Sequence, residues 1–266
     1  MPTIAVDSLD DPRVAAYRDL QDATLRERHG LFVAEGQHMV RRLVAGGRFR
    51  PRSVLLTAAA LEPLAALLAT VDAPVFVAAP AVLRGVVGFD FHHGCVGLGE
   101  RGAATTLADV LAARPAVLVV LETIANPDNV GGVFRNARAL GADAVLLGPG
   151  CCDPLYRKTV RVSIGATLEV PFAPLVDWPG DLARLRAAGF RIVALTPDPR
   201  AADLATLARP PRVALLVGSE RDGLTLAARA AADVEVRIAM MPDGDSLNVA
   251  TAAAIALHRL GRAGSR

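Results

Sequence analysis

Short apolar runs recur along this chain, and glycine, proline or clustered polar residues break each of them. Leu31-Phe32-Val33-Ala34, Ser53–Leu56, Val75–Ala78 and Cys95–Leu98 have the length and side-chain content of strands. Between them, Gln37–Val44, Leu61–Ala69 and Ala81–Val87 read as helices, the first closed by Gly46-Gly47. Ahead of these, Asp11-Pro12 opens a segment whose Val14, Tyr17, Leu20 and Leu25 fit a helix. The alternation predicts a small α/β domain over residues 1–101. Gly102–Thr106 is small and polar and precedes a helix at Leu107–Ala113, so 102–114 reads as a linker and connecting helix.

From residue 115 to 266 the same alternation continues on a more apolar footing. Val117–Leu121 is apolar on both faces, as buried parallel strands are. A loop over Glu122–Asn129 and a helix over Val130–Leu140 follow, then a strand at Ala144–Leu147 and the Gly148-Pro149-Gly150 turn. Arg157–Ser163 reads as helix, Leu168–Pro171 as a short strand, Leu182–Ala188 as helix and Arg191–Leu195 as strand. Val213–Val217 breaks into Gly218-Ser219-Glu220-Arg221-Asp222-Gly223. Val234–Met241 opens into Pro242-Asp243-Gly244-Asp245-Ser246-Leu247-Asn248, and the Ala-rich helix Ala250–Leu260 closes the chain. Two polar loops at neighbouring strand ends would converge on one crevice, the place where open α/β sheets bind ligands.

Composition narrows the class. With 266 residues, 52% of them hydrophobic and 21% charged, the chain has room for one large or two modest domains, each able to bury a core, and is not disordered. No apolar run reaches the roughly 18 residues of a membrane span. Met1–Asp11 lacks the order of a signal peptide, so a cytoplasmic protein without membrane contact is expected. Cys95, Cys151 and Cys152 suit neither a disulfide framework nor a zinc site. His92-His93 beside Cys95 reads as a loop or packing pair, and no metal is expected. The net charge of +2 does not by itself indicate nucleic acid. Lys158 is the single lysine, which fits either a GC-rich genome or the use of arginine's planar fork on phosphate. Arginines crowd the front, from Arg13 to Arg52, among nearly as many acids, which hints at a basic face.

The segment Leu121–Ala137 is unusual for a strand-to-helix crossing. Asn126 and Asn129 can cap the helix and Pro127 starts the turn. Gly131 and Gly132, read as lying in the first helical turn, cost about 1 kcal/mol each against alanine, so something should approach the backbone there. Arg135 lies one turn past Gly131. Gly218-Ser219-Glu220 and Ser246-Leu247-Asn248 can equally be a plain turn and a helix N-cap. Three polar loops after three apolar strands are harder to dismiss together.

These residues carry a resemblance. The chain resembles the SpoU/TrmH family of S-adenosylmethionine-dependent RNA ribose 2′-O-methyltransferases, in the SPOUT superfamily. The matching stretches are Leu121-Glu122 through Asn129-Val130-Gly131-Gly132 to Arg135, Gly218-Ser219-Glu220 through Gly223-Leu224, and Ile238 through Ser246-Leu247-Asn248-Val249-Ala250. Phe32-Val33-Ala34-Glu35-Gly36 and His93-Gly94-Cys95-Val96 are similar to the substrate-binding domain of many members, itself like certain ribosomal proteins. Asn126, Asn136 and His93 depart from the commoner aspartate, threonine and glutamine.

The resemblance implies a C-terminal α/β domain with a trefoil knot over 115–266, an N-terminal α/β RNA-binding domain and a homodimer. It implies S-adenosylmethionine held at Thr196, Gly218, Ile238 and Leu247. It casts Arg135, Asn129, Glu220, Ser246 and Asn248 as the reaction site. The substrate it implies is RNA, with 23S ribosomal RNA favoured. The alternatives are a tRNA 2′-O-methyltransferase or a non-catalytic RNA-binding assembly factor. A dinucleotide enzyme would want G-x-G-x-x-G after its first strand, and the chain has none there.

Overall fold

The computed structural model describes residues 3–8, 10–18, 20, 25–87, 94–241 and 246–261. His92, His93 and Pro242-Asp243-Gly244-Asp245 lie outside the described residues. The chain forms two compact units, one of Met1–Ala103 with Leu155–Glu169, the other of Ala104–Pro154 with Val170–Arg266.

The first unit is built on a five-stranded sheet of β1 (Ile4–Val6), β2 (Leu31–Glu35), β3 (Pro51–Leu56), β4 (Val75–Ala78) and β5 (Cys95–Glu100), with helices α1 (Gln37–Ala45) and α2 (Pro80–Val87). The spatial order is β1-β4-β3-β5-β2. β4 runs parallel to β1 and β3, whereas β5 runs antiparallel to β3 and β2. The period-2 alternation of β3 sends Leu55 to one core cluster with Tyr17 and Phe76, and Val54 and Leu56 to another with Val40 and Leu64. Tyr17 carries its hydroxyl into the interior and satisfies it on Ser53 Oγ at 2.7 Å.

Two expectations need amending in this unit. The segment after Asp11 is a 3-10 turn over Pro12–Tyr17 and a single π turn over Leu25–His29, not one α-helix. The helix expected at Leu61–Ala69 is broken into Ala58–Leu61, a 3-10 turn at Glu62–Leu64 and Ala65–Leu68. Pro63 lacks the N–H a continuous helix would need there. The segment Leu155–Glu169 groups here by contact. Its helix Arg157–Val162 brings Arg157 Nε and Arg161 Nη1 to 3.6 and 3.9 Å from the buried Glu35 carboxylate.

Among the described residues the second unit holds seven strands: β6 (Val117–Leu121), β7 (Ala144–Leu147), β8 (Phe172–Pro174), β9 (Arg191–Leu195), β10 (Ala202–Asp203), β11 (Val213–Val217) and β12 (Val234–Arg237). Its helices are α3 (Leu107–Ala112), α4 (Pro127–Ala139), α5 (Asp181–Ala187), α6 (Leu226–Ala230) and α7 (Val249–Leu260). The order is β10-β12-β9-β11-β6-β7-β8, and every pairing is parallel. β6 and β11 sit side by side in the interior and are buried along their whole length, as their two-faced apolar runs predict.

Four differences from the sequence reading matter. The short strand lies at Phe172–Pro174, because Ala166–Leu168 winds into a 3-10 turn first. β11 and β12 are not neighbours, since β9 lies between them. β12 ends at Arg237, short of Met241. α4 starts at Pro127, capped by Asn126, so Gly131 and Gly132 fall in its second turn. What approaches Gly132 is another helix: a Cβ there would stand 2.8 Å from Ala250 Cβ on α7. Asn136 seals the same crossing by donating to the Ala250 carbonyl at 2.8 Å.

Candidate active site

In a parallel sheet every strand ends at the same edge, so the loops after β9, β11 and β12 open onto one side of the second unit. They line a cavity of about 500 Å³, which the residues just before α7 complete. That volume lies in the range of cofactor-sized pockets. Thr196, Gly218, Ile238 and Leu247, the expected cofactor positions, all line it, as do Glu220 and Ser246.

The loop after β11 is held in shape by its own backbone. Ser219 N–H donates to the Gly223 carbonyl at 3.2 Å, Gly223 N–H donates back at 3.0 Å, and Asp222 N–H donates to Ser219 Oγ at 3.1 Å. A Cβ on Gly218 would overlap the Gly223 carbonyl and the Leu224 nitrogen, so this turn closes only around glycine. Thr196, at the end of β9, donates its N–H to the Val236 carbonyl at 2.9 Å. Its hydroxyl accepts from Asp198 N–H at 3.2 Å.

Three of the expected reaction-site residues meet at one point. Asn129 is the third residue of α4 and is only 4% exposed. Its amide nitrogen donates to Glu220 Oε1 and its oxygen accepts from Asn248 Nδ2 at 2.8 Å. Asn248 Nδ2 also reaches Glu220 Oε1 at 3.0 Å. The other end of the Asn248 amide caps α7, accepting from Ala250 N–H at 2.9 Å and Thr251 N–H at 3.3 Å. The capping reading and the site reading of Asn248 therefore hold together: the cap fixes which end of the amide faces Glu220.

Arg135 is not brought to this cluster. Asn129 and Asn136 are seven residues apart and share the face of α4 that looks toward α7. Arg135 is one residue, about 100°, off that face, and is exposed and absent from the cavity wall.

Other residues of the site escaped the sequence reading. Glu122 is fully buried and its carboxylate accepts from Trp178 Nε1 at 2.6 Å, Thr225 N–H at 2.8 Å and Thr225 Oγ1 at 2.8 Å. It thereby pins the residue that caps α6 immediately behind the Gly218–Leu224 loop. Asp198 and Arg229 also line the cavity. Arg200, through its guanidinium and its backbone N–H, holds the Asp198 carboxyl well below the usual carboxylate range, and Arg229 adds to the effect. A strand-end position after Thr196 could have pointed to Asp198; nothing in the local pattern marks Arg229. Cys151 is half-buried, with its thiol 3.5 Å from the Leu121 carbonyl, and burial pushes its pKa up. Among the described residues, no group of three or more His, Cys, Asp or Glu is placed to hold a metal. None of the helices among them is long and apolar enough to cross a membrane.

Residues 116–258 match the SpoU rRNA Methylase family. The chain is 42% identical over 262 residues to an uncharacterized tRNA/rRNA methyltransferase of Mycobacterium bovis, covering 96% of this chain and 90% of that protein. It is 30% identical over 178 residues to the 23S rRNA (guanosine-2′-O-)-methyltransferase RlmB of Ralstonia nicotianae, covering 66% and 71% respectively. Among solved structures, the AdoMet-bound rRNA methyltransferase from Sinorhizobium meliloti superimposes with a TM-score of 0.81 at 26% identity, over 97% of each chain.

Proposed function

The chain belongs to the SpoU rRNA methylase family and is an S-adenosylmethionine-dependent RNA 2′-O-methyltransferase, and from that premise we propose that the ribose it methylates lies in 23S ribosomal RNA. The likeness to the 23S rRNA methyltransferase of Ralstonia nicotianae supports that substrate, and the Asn129–Glu220–Asn248 cluster set beside the strand-end cavity supports the reaction. The cavity fits the cofactor. Apolar side chains of Leu195, Val217, Ile238 and Leu247 suit an adenosyl group, and the Gly218 turn leaves backbone open to a polar edge. Thr196, Gly218, Ile238 and Leu247 would hold it there. Bound S-adenosylmethionine supplies a methyl group already activated on a sulfonium sulfur.

What remains for the protein is alignment of the ribose 2′-hydroxyl and management of its proton, and alignment alone can be worth several kcal/mol. Two amide donors fix Oε1 of the Glu220 carboxylate, and in this proposal its other oxygen would accept a hydrogen bond from that hydroxyl. Ser246, on the cavity wall, would complete the polar surround. Arg135 acts in this proposal on an adjacent phosphate, because a guanidinium with a pKa above about 12 is a poor base but a good bidentate phosphate ligand. Residues 1–101 serve as the RNA substrate-binding domain, 102–114 as the linker with its helix, and 115–266 as the methyltransferase domain. The chain works as a homodimer in the cytoplasm.

Incubation with S-[methyl-³H]adenosylmethionine and separate 23S rRNA and tRNA substrates tests this reading. Label in 23S rRNA at an alkali-resistant linkage is the expected result. Label in tRNA alone would replace the substrate. RNA binding without transfer to either would leave the non-catalytic assembly factor standing and refute the proposal.

A further inference from the structure

The three loops that line the cavity leave three adjacent strands, β12, β9 and β11, whose backbone ladder sets their spacing only as far as the strand ends. One guanidinium touches the elements of all three. Arg229 sits on α6, directly behind the Gly218–Leu224 loop. Its Nε and Nη2 grip Glu235 of β12 as a fork, at 2.7 Å each. Its Nη2 also reaches Asp198 in the loop after β9 at 3.0 Å. β12 runs on into Ile238, and Asp198 lies two residues past Thr196, so each contact leads within three residues to an expected cofactor position. Arg229 and Asp198 themselves line the cavity.

We propose that Arg229 is a positioning residue for the methyl donor: it joins the loops after β9, β11 and β12 and so sets the affinity of the cavity. The inference rests on the reading of that cavity as the S-adenosylmethionine site. The fork is the reason for arginine. Its planar donors hold a carboxylate at two points while reaching a second acid, whereas a lysine ammonium is a single point charge that cannot span both. Arg200 is a different case. It also binds Asp198, at 2.7 Å, but its side chain is 86% exposed and its hydrogen bonds go to that one carboxylate. Trimming Arg200 leaves the three-way joint intact, and trimming Arg229 does not.

Calorimetric titration of the full chain with S-adenosylmethionine, together with methyl-transfer kinetics, tests this. Arg229→Ala should weaken donor binding at least about tenfold, equivalent to about 1.4 kcal/mol. KM for the donor should rise in step while kcat at saturating donor stays within about twofold. Arg229→Lys should fall between the two, and Arg200→Ala should bind as the unaltered protein does. Should Arg229→Ala fail to fold, Arg229→Lys carries the test through its intermediate affinity. Unchanged donor affinity in the Arg229 variants, beside normal binding by the unaltered protein, would overturn this proposal alone. Parallel loss of kcat and melting temperature without a change in KM would reduce Arg229 to a structural ion pair and overturn it too. Absence of donor binding by the unaltered protein would overturn the cofactor reading and this proposal with it.

Discussion

Asn248 does two jobs with one amide, and two substitutions separate them. In Asn248→Ala both ends are lost. The α7 cap on Ala250 and Thr251 goes, at about 1 kcal/mol. Asn129 Oδ1, on a residue only 4% exposed, loses its donor at a further cost of about 1 kcal/mol. A total near 2 kcal/mol corresponds to a fall in Tm of about 4–8 °C for a domain of this size. Asn248→Asp keeps a cap as good as the original, so whatever stability it loses comes from the cluster and not from the start of α7. Its oxygens, however, cannot donate to Asn129 or Glu220, and a carboxylate now stands where an amide nitrogen lay 3.0 Å from Glu220 Oε1. Both variants should lose about 100-fold or more in methyl transfer, the scale of removing one well-placed donor. Thermal unfolding beside tritium-transfer rates reads both quantities. Wild-type transfer by Asn248→Asp would show that the Nδ2 donation is not needed, and an unchanged Tm in Asn248→Ala would refute the capping argument.

The other predictions follow from neighbouring observations. Arg135→Ala should abolish methyl transfer while S-adenosylmethionine binds as before, because Arg135 is off the cavity wall; loss of donor binding by calorimetry would remove it from the RNA side. Gly132→Val should force α4 and α7 apart, since even a bare Cβ would stand 2.8 Å from Ala250 Cβ, and should lower stability by about 1–3 kcal/mol in a urea titration. An unchanged midpoint would mean that the crossing can open without loss. Arg200 and Arg229 hold the Asp198 carboxyl below its ordinary value, so its contribution to stability is present above the unfolded pKa of about 4 and disappears as acid reaches the folded value. The Tm gap between the unaltered protein and Asp198→Asn should therefore be open near pH 7 and narrow below about pH 4; a gap that widens in acid would reverse the assigned sign.

Most strands could be read from the sequence because burial wrote them in local terms. Val117–Leu121 and Val213–Val217 are apolar on both faces, and they are the adjacent interior strands of the second sheet. β1 and β10 were missed because three- and two-residue strands carry no periodicity to detect. The Gly131-Gly132 pair correctly signalled a close approach, but the approaching group was the neighbouring helix. Of the expected reaction-site residues, Asn129, Glu220 and Asn248 come together, whereas Arg135, six residues past Asn129 on α4, turns to another face, as a period of 3.6 residues requires. Glu122 was visible only as part of a resemblance. Its job is to accept from Trp178 and Thr225, and those partners lie 56 and 103 residues away.

That distance explains the division between what could and could not be read. A strand or a cap is decided by residues within a few positions, so its signal survives in one sequence. The cavity is decided by strand order. The loops after β9, β11 and β12 are adjacent only because β9 slots between the other two, an arrangement that no run of side chains encodes locally. A residue that shapes a cavity loop through its backbone, such as Gly218, still leaves a trace, since only glycine closes the turn. Residues that tie one loop to another, such as Glu122 and Arg229, are ordinary charges until the strand order is known. The site's geometry therefore rests most on the side chains that are least legible, and substitutions there should change affinity and rate without any mark in the motif itself.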